Sequence, residues 1–302
     1  MSIAFESSVM FSECIIIVPL SCSLYYQDIY LICEELYKKL DLLVLPLNVN
    51  FGEETFKDGV DITPDEIYDR VEKTKKLPST AAISPAVFHD ALKPFIDDGY
   101  DIVFVGIGSK LSTTCQSLNI ASQDFEEGRI FVIDSENLST GSGLLALKAC
   151  KARDEGKSAK QIYEEVQPLS KNVSTKFSIN KLDYMKKGGR CSSFAAIFAS
   201  LLHIHPILKM NEGKLQVYKK LRGPLSVTHK DMINELKNDM PNVDLDAIFI
   251  THSGMSKQEE LDYVYNEVCK IVDKEHVFIT RAGCVVSSHC GPDTLGILYI
   301  KK

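Results

Sequence analysis

The sequence predicts an α/β protein in two parts, a parallel-sheet N-terminal domain over residues 1–170 and a mixed-sheet C-terminal domain over residues 171–302. Three observations carry this. Apolar runs alternate with helical-period segments across short connections, the signature of βαβ units. DIVFVGI (101–107) is apolar without a break, as in a strand that a parallel sheet covers on both faces. Beyond about residue 170 the alternation gives way to a strongly apolar segment and then to two strands joined by a short turn.

CIIIVPL (14–20) predicts the first strand. A helix follows over 27–40, where Ile29, Ile32, Leu36 and Leu40 recur at helical spacing. LLVLPLNVNF (42–51) predicts the next strand, and Asp58-Gly59 a turn. Thr63 and Pro64 open a helix, and Glu66 completes a capping box. LPSTAAISP (77–85) reads as a loop, after which Ser84 and Pro85 start a helix running to 98. Strand 101–107, a helix over 112–125, strand 129–135 and a helix over 140–156 complete the first part. In the second, SSFAAIFASLLHI (192–204) predicts an apolar helix, and 205–223 predicts two strands joined at Asn211–Gly213. A helix near 226–240, strand 246–254, a helix from Ser256 with Glu259 in the capping-box position, and strands 276–283 and 295–300 follow.

At 302 residues, with 45% apolar and 25% charged side chains, the chain has the composition of a globular protein. Its net charge of -7 sets an overall field that repels a polyanion, so no nucleic-acid partner is expected. KTKK (73–76) is the densest basic run; it lacks interleaved aromatics and reads as a solvated loop. The nine cysteines form no CxxC, and several sit in apolar runs, which fits reduced thiols in a cytoplasm and gives no metal-ligand spacing. Glu6 and Glu13 lie where a secretory signal would be basic, and no apolar run approaches the ~20 residues of a membrane span.

Ordinary enzyme signatures are missing. GIGSK (106–110) and TGSGLL (140–145) are neither GxGxxG nor a phosphate loop, and no GxSxG elbow occurs. His252 and Ser253 are strand neighbours and point to opposite faces. His203 and His205 lack a third metal ligand. Three loops carry more specific chemistry: PSTAAIS (78–84), SKLSTTCQS (109–117) and SSHCGP (287–292), the last with His289 beside Gly291 and Pro292. Hydroxyls at helix starts serve either to cap the helix or to hold an anion, and Ser112 admits both readings.

In order and spacing, the chain resembles the DegV family of bacterial lipid-binding proteins. The resemblance spans nearly its whole length and rests on FKDGVDITPDEIYDRV (56–71), LPSTAAISP, SKLSTTCQS, VIDSENLSTGSGLLALKA (132–149), LDYMKKGGRCSS (182–193), SLLHIHPIL (200–208) and HCGPDTLGI (289–297). It implies a DegV-like fold in which the headgroup loops belong to residues 1–170 and residues 171–302 close an apolar lipid cavity. Thr80 matches the threonine that contacts the lipid carboxylate, Ser112 the second contact, and His289 the histidine before Gly-Pro. Ser84, Thr113, Thr114, Arg190 and Gly291 are candidates for loop or pocket support. FAAIFASLL (194–202) is a candidate tunnel wall or an ordinary core helix.

The resemblance further implies a long-chain fatty acid as ligand and a separate ATP-dependent kinase subunit as partner, with membrane contact only transient, for lipid exchange. No cofactor, no metal and no catalytic residue in the chain itself are expected. The chain departs from the family pattern at several positions. Pro19-Leu20 precedes SCSL where an Asp-Ser pair is usual, Thr113 replaces a glycine, Cys115 a tyrosine, Ala199 a glycine, His205 a lysine and Asp293 a glycine. Two rival readings follow from the residues, a carrier or regulator for another amphiphile and an ester hydrolase using Ser112 with His289.

Overall fold

The computed structural model describes residues 40, 42–191 and 204–302, together with the backbone of residues 13–18. The body of the helix expected over 27–40, the apolar stretch 194–202 and His203 lie outside the described residues.

Strands β1 (Glu13–Val18) and β2 (Leu42–Val44) are followed by β3 (Asn48–Phe51) and β4 (Glu54–Lys57). The single strand expected over 42–51 is therefore two, in different sheets. Pro46 separates them because it has no N–H to give a ladder. Helix α1 (Pro64–Thr74) has the expected capping box: Thr63 Oγ1 accepts from the Glu66 amide, and the Glu66 carboxylate accepts from the Thr63 amide at 2.8 Å. β5 (Ser79–Ala81) occupies the segment expected to be a loop, and Ser84 caps α2 (Pro85–Asp97) by accepting from the Val87 amide. β6 (Asp101–Gly106), α3 (Thr114–Ala121), β7 (Ile130–Asp134) and α4 (Thr140–Asp154) follow in the expected order.

Three elements lie outside the predicted segments: α5 (Ala159–Val166), started by a Ser158–Gln161 capping box, β8 (Val173–Ser178) and α6 (Leu182–Gly188). β9 (Ile204–Asn211) and β10 (Lys214–Arg222) form the expected hairpin. α7 (Ser226–Asp239), β11 (Val243–His252), α8 (Gln258–Val268), β12 (Val277–Arg281), α9 (Cys284–Cys290) and β13 (Leu295–Lys301) complete the chain. Ser256 does not cap α8. Its amide and hydroxyl both donate to the Asp293 carboxylate, at 2.6 and 2.9 Å, and the helix starts two residues later.

The strands form three sheets. In the order β2-β1-β6-β7, β6 and β7 pair in parallel while β1 runs antiparallel to both its neighbours. β4-β3-β5 is antiparallel. The sheet β10-β9-β8-β13-β11-β12 is mixed, with β11 and β12 parallel and the other pairs antiparallel. With nine α-helices among the described residues, this is the α/β class predicted.

The uninterrupted run in β6 is covered on both faces. Ile102 and Phe104 pack with Phe88, Leu92 and Leu118 of α2 and α3, whereas Val103 and Val105 pack with Leu145 and Ala149 of α4. That alternation is the period-2 geometry of a strand. α4 is buried around most of its circumference, since its core cluster also takes in Phe249 of β11 and Leu298 of β13. Cys115, Cys150, Cys191, Cys284 and Cys290 are buried thiols outside any disulfide. Among the described residues no helix is long and apolar enough to cross a membrane.

Candidate functional site

A cavity of about 450 Å³ opens beyond the end of β6. Crevices past the carboxyl ends of sheet strands are the usual ligand positions of α/β proteins, because the connecting loops there are free to vary. Apolar side chains make most of its wall, among them Leu47, Ile107, Leu138, Phe177, Leu215 and Val285. Thr80, Ser112 and His289 line the same cavity, with Thr113 and Arg190. Residues from positions 80, 112 and 289 are thus brought to one place.

Each is positioned by its own element. β5 pairs with β3 in the register Val49↔Thr80, which turns the half-buried Thr80 side chain toward the cavity and leaves Ser79 and Ala81 exposed. Ser112 lies on the loop between β6 and α3. That loop is held by Asp134, whose Oδ1 accepts from the amides of Ser109 at 3.1 Å and Glu136 at 2.9 Å. Gly108 brings its backbone against residues 136 and 137; a Cβ there would stand 2.9 Å from the Asn137 nitrogen. The Ser112 hydroxyl accepts from the Thr114 amide at 3.3 Å and lies 2.8 Å from Thr114 Oγ1. Ser112 stands one residue before the N-cap, Thr113, so it receives the first amide of α3 from outside the helix while also lining the cavity.

His289 is not on a loop, as its Gly-Pro neighbours suggested, but in the last turn of α9. Gly291, at φ 72, follows Cys290, the last residue of that helix, as its C-cap. α9 in turn is fixed at its start by Asp58, a buried carboxylate that accepts from the amides of Cys284 at 2.6 Å and Val285 at 2.9 Å. Burial is the largest influence on this carboxyl and raises it to about 6, against the lowering effect of its hydrogen bonds to Cys284 and Val285. His289 Nε2 lies 2.9 Å from Thr80 Oγ1. Its Nδ1 is buried against Gly188 and has no hydrogen-bond partner among the described residues. Burial, and then the charge of Arg190, pushes the imidazole down to about 4, so the ring is neutral at pH 7.

The remaining predicted residues divide by position. Thr113 lines the cavity; Thr114 is fully buried behind Ser112; Arg190 lines the rim and donates to the Gly188 carbonyl at 2.7 Å. Ser84 caps α2 and Gly291 ends α9, and neither reaches the cavity wall. Nothing in the sequence marks Asp58 or Gly188 as site residues. Asp58-Gly59 signals only a turn in the sequence, and its partners lie 226 and 227 positions away. The Gly188-Gly189 pair signals a helix end, not the close approach of a ring. Ser112 and His289 each have another partner, Thr114 and Thr80, and burial pushes the neighbouring Cys290 thiol up to about 12. Neutral donors around an apolar cavity suit one polar group on an apolar ligand. Among the described residues no group of three His, Cys, Asp or Glu is placed to hold a metal.

A family model described as "Uncharacterised protein, DegV family" matches residues 29–302. A DegV domain-containing protein of Clostridium perfringens is 30% identical over 271 residues, covering 89% of this chain and 94% of its own. A fatty acid-binding DegV family protein from Thermus thermophilus superposes with a TM-score of 0.81 at 26% identity, over 90% of this chain and 96% of its own. A stearic acid-binding protein from Eubacterium ventriosum does so with a TM-score of 0.77 at 26% identity, over 89% of this chain and 94% of its own.

Proposed function

The chain belongs to the DegV family, and from that premise we propose that it binds a long-chain fatty acid, shields the acyl tail and presents the carboxylate to a separate ATP-dependent kinase subunit. The observation that carries the reading is the meeting of Thr80, Ser112 and His289 on the wall of one largely apolar cavity. Burying about 15 methylenes at ~0.8 kcal/mol each gives ~12 kcal/mol of gross driving force. Lost rigid-body and chain freedom takes back much of it. The tail supplies affinity and the polar end supplies orientation. Supporting walls come from both sides of residue 170, so residues 1–170 and 171–302 act as the two parts that enclose the ligand.

At the head, His289 in its Nε2–H tautomer donates to Thr80 Oγ1, which leaves the Thr80 hydroxyl proton for the carboxylate. Ser112 donates a second hydrogen bond, with Thr114 fixing its rotamer. A neutral imidazole avoids the cost of desolvating a cation, and Arg190 at the rim supplies positive potential instead. Thr113 shapes the mouth, while Ser84 and Gly291 hold α2 and α9 in place. The kinase subunit phosphorylates the exposed end to an acyl phosphate, the chain itself contributing no catalytic residue. It works in the cytoplasm and touches the membrane only to exchange lipid.

Mass spectrometry of gently extracted protein tests the binding. A fatty acid is expected; no lipid, together with no uptake by the stripped protein, sinks the proposal. For the kinase step, acyl phosphate is expected only when the cognate kinase is added, and ATP-dependent product from the purified chain alone overturns it. An ester screen addresses hydrolysis, where tight binding without turnover is expected.

A further inference from the structure

Thr74, Lys75 and Lys76 of the KTKK run (73–76), which the sequence presents as a solvated loop, form one wall of a second cavity of about 520 Å³. Its other walls are the β3–β4 turn, with Phe51 and Glu54, and Lys187 of α6. The cations facing it are Arg70, Lys75, Lys76 and Lys187, against the single carboxylate of Glu54. A concave concentration of positive charge is unexpected on a chain of net charge -7.

The arrangement is built rather than merely exposed. Arg70 is held over the rings of Phe56, at 4.6 Å, and Phe51, at 5.6 Å, and pairs with Glu54 at 2.9 Å. The Lys187 ammonium donates to the Leu77 carbonyl, which anchors it at the cavity although it comes from an element 110 positions away. Lys75 ends α1 in the left-handed region, φ 56, where glycine or asparagine is the favourable residue. Complementarity to the negative end of a helix accounts singly for Lys75 at the C-cap of α1 and for Lys187 in the last turn of α6. It does not account for their convergence, with Lys76 and Arg70, on one cavity.

We propose that this cleft binds a small ligand carrying two or more linked phosphate groups. Lysine ammoniums are suited to phosphate as movable point charges. A concave cleft of this volume fits a compact anion, whereas a membrane plane would meet only its rim. The site is separate from the acid-binding cavity and does not rest on that reading.

The test is calorimetric titration of the full chain with inorganic pyrophosphate, with sulfate at matched ionic strength as control. Pyrophosphate is expected to bind in preference to sulfate, and the Lys75→Gly/Lys76→Ala variant to bind it at least about tenfold more weakly, the loss of about 1.4 kcal/mol of charge-assisted contact. Lys75→Gly places the residue the backbone favours, so this variant is expected to melt no lower than the parent and weaker binding cannot be assigned to unfolding. Vesicles of phosphatidylglycerol form the second arm. Pyrophosphate indistinguishable from sulfate, equal binding by the variant, or vesicle binding that pyrophosphate does not displace would each overturn the proposal.

Discussion

Thr80 Oγ1 and His289 Nε2 stand 2.9 Å apart, joining β5 to the last turn of α9 across 209 positions of chain. With the other ring nitrogen buried against Gly188 and without a hydrogen-bond partner among the described residues, the tautomer decides which of the two groups donates. The expected state is the neutral Nε2–H tautomer at pH 7, visible as such in the nitrogen NMR spectrum of the labelled ring. An Nδ1–H tautomer would reverse the direction of the bond and leave Thr80 no proton for a carboxylate.

Removing a head donor separates orientation from retention. Ser112→Ala and His289→Ala each delete one neutral hydrogen-bonding group, a loss of about 1–3 kcal/mol. Both variants are expected to retain fatty acid, by mass spectrometry, while acyl phosphate formation with the kinase falls more steeply than affinity. Equal loss of both would mean that these residues hold the tail or the fold.

Gly188 tests the ring's position without touching its chemistry. A Cβ there would lie 2.5 Å from His289 Nδ1, whereas at Gly189, φ +66, nothing stands within 4 Å. Gly188→Ala is expected to displace the imidazole and lower ligand affinity. Gly189→Ala costs about 1 kcal/mol of stability through its backbone but leaves affinity unchanged. Paired denaturation and binding curves distinguish the two.

Asp58 holds the start of α9 from another sheet's neighbourhood. Asp58→Ala leaves the buried amides of Cys284 and Val285 without their acceptor, and about 2–4 kcal/mol of stability is expected to go with it. Urea unfolding measures this. A loss under ~0.5 kcal/mol would show that burying the carboxylate costs as much as its two bonds return.

Acid weakens the fold through its histidines. Burial holds His229, His252 and His289 at about 4, against about 6.5 in an unfolded chain. Their contribution is complete above 6.5 and is lost as pH falls toward 4, because there the unfolded state binds more protons. His229 faces Glu260 at 3.8 Å and feels His205, and His252 lies near Arg281 and Asp65; neither carboxylate offsets burial. Asp58, raised to about 6 from 3.8, works in the opposite sense and gains stability on acidification, one group against three. The melting midpoint is expected to fall between pH 7 and pH 5. A flat or rising profile would contradict neutral burial of these rings.

Local signals survived folding well. Thr63 with Glu66, Ser84 with Pro85, and the unbroken run 101–107 each state their structure within a few residues, since caps and strand burial are short-range. Legibility fails where the deciding partner is distant. Ser256 and Glu259 have the spacing of a capping box, yet Asp293 takes the serine first. His289 beside Gly-Pro looked like a loop, because nothing nearby shows that Asp58 anchors a helix through it. Thr80, Ser112 and His289 are legible through family resemblance, whereas Gly188 leaves no mark in the sequence, since its part is a clearance rather than a contact.

β13 follows every other strand in the chain, yet lies between β8 and β11 inside the six-stranded sheet. During synthesis those two neighbours emerge first and must wait with unpaired edges until residues 295–301 have been made. The α9 segment emerges just before them. A nascent chain therefore has β5 and the Ser112 loop long before it has a place to seat a ligand, and its exposed edges are open to other chains in that interval. Closure of the six-stranded sheet, and with it the seating of α9 against β5, waits on the insertion of one seven-residue strand.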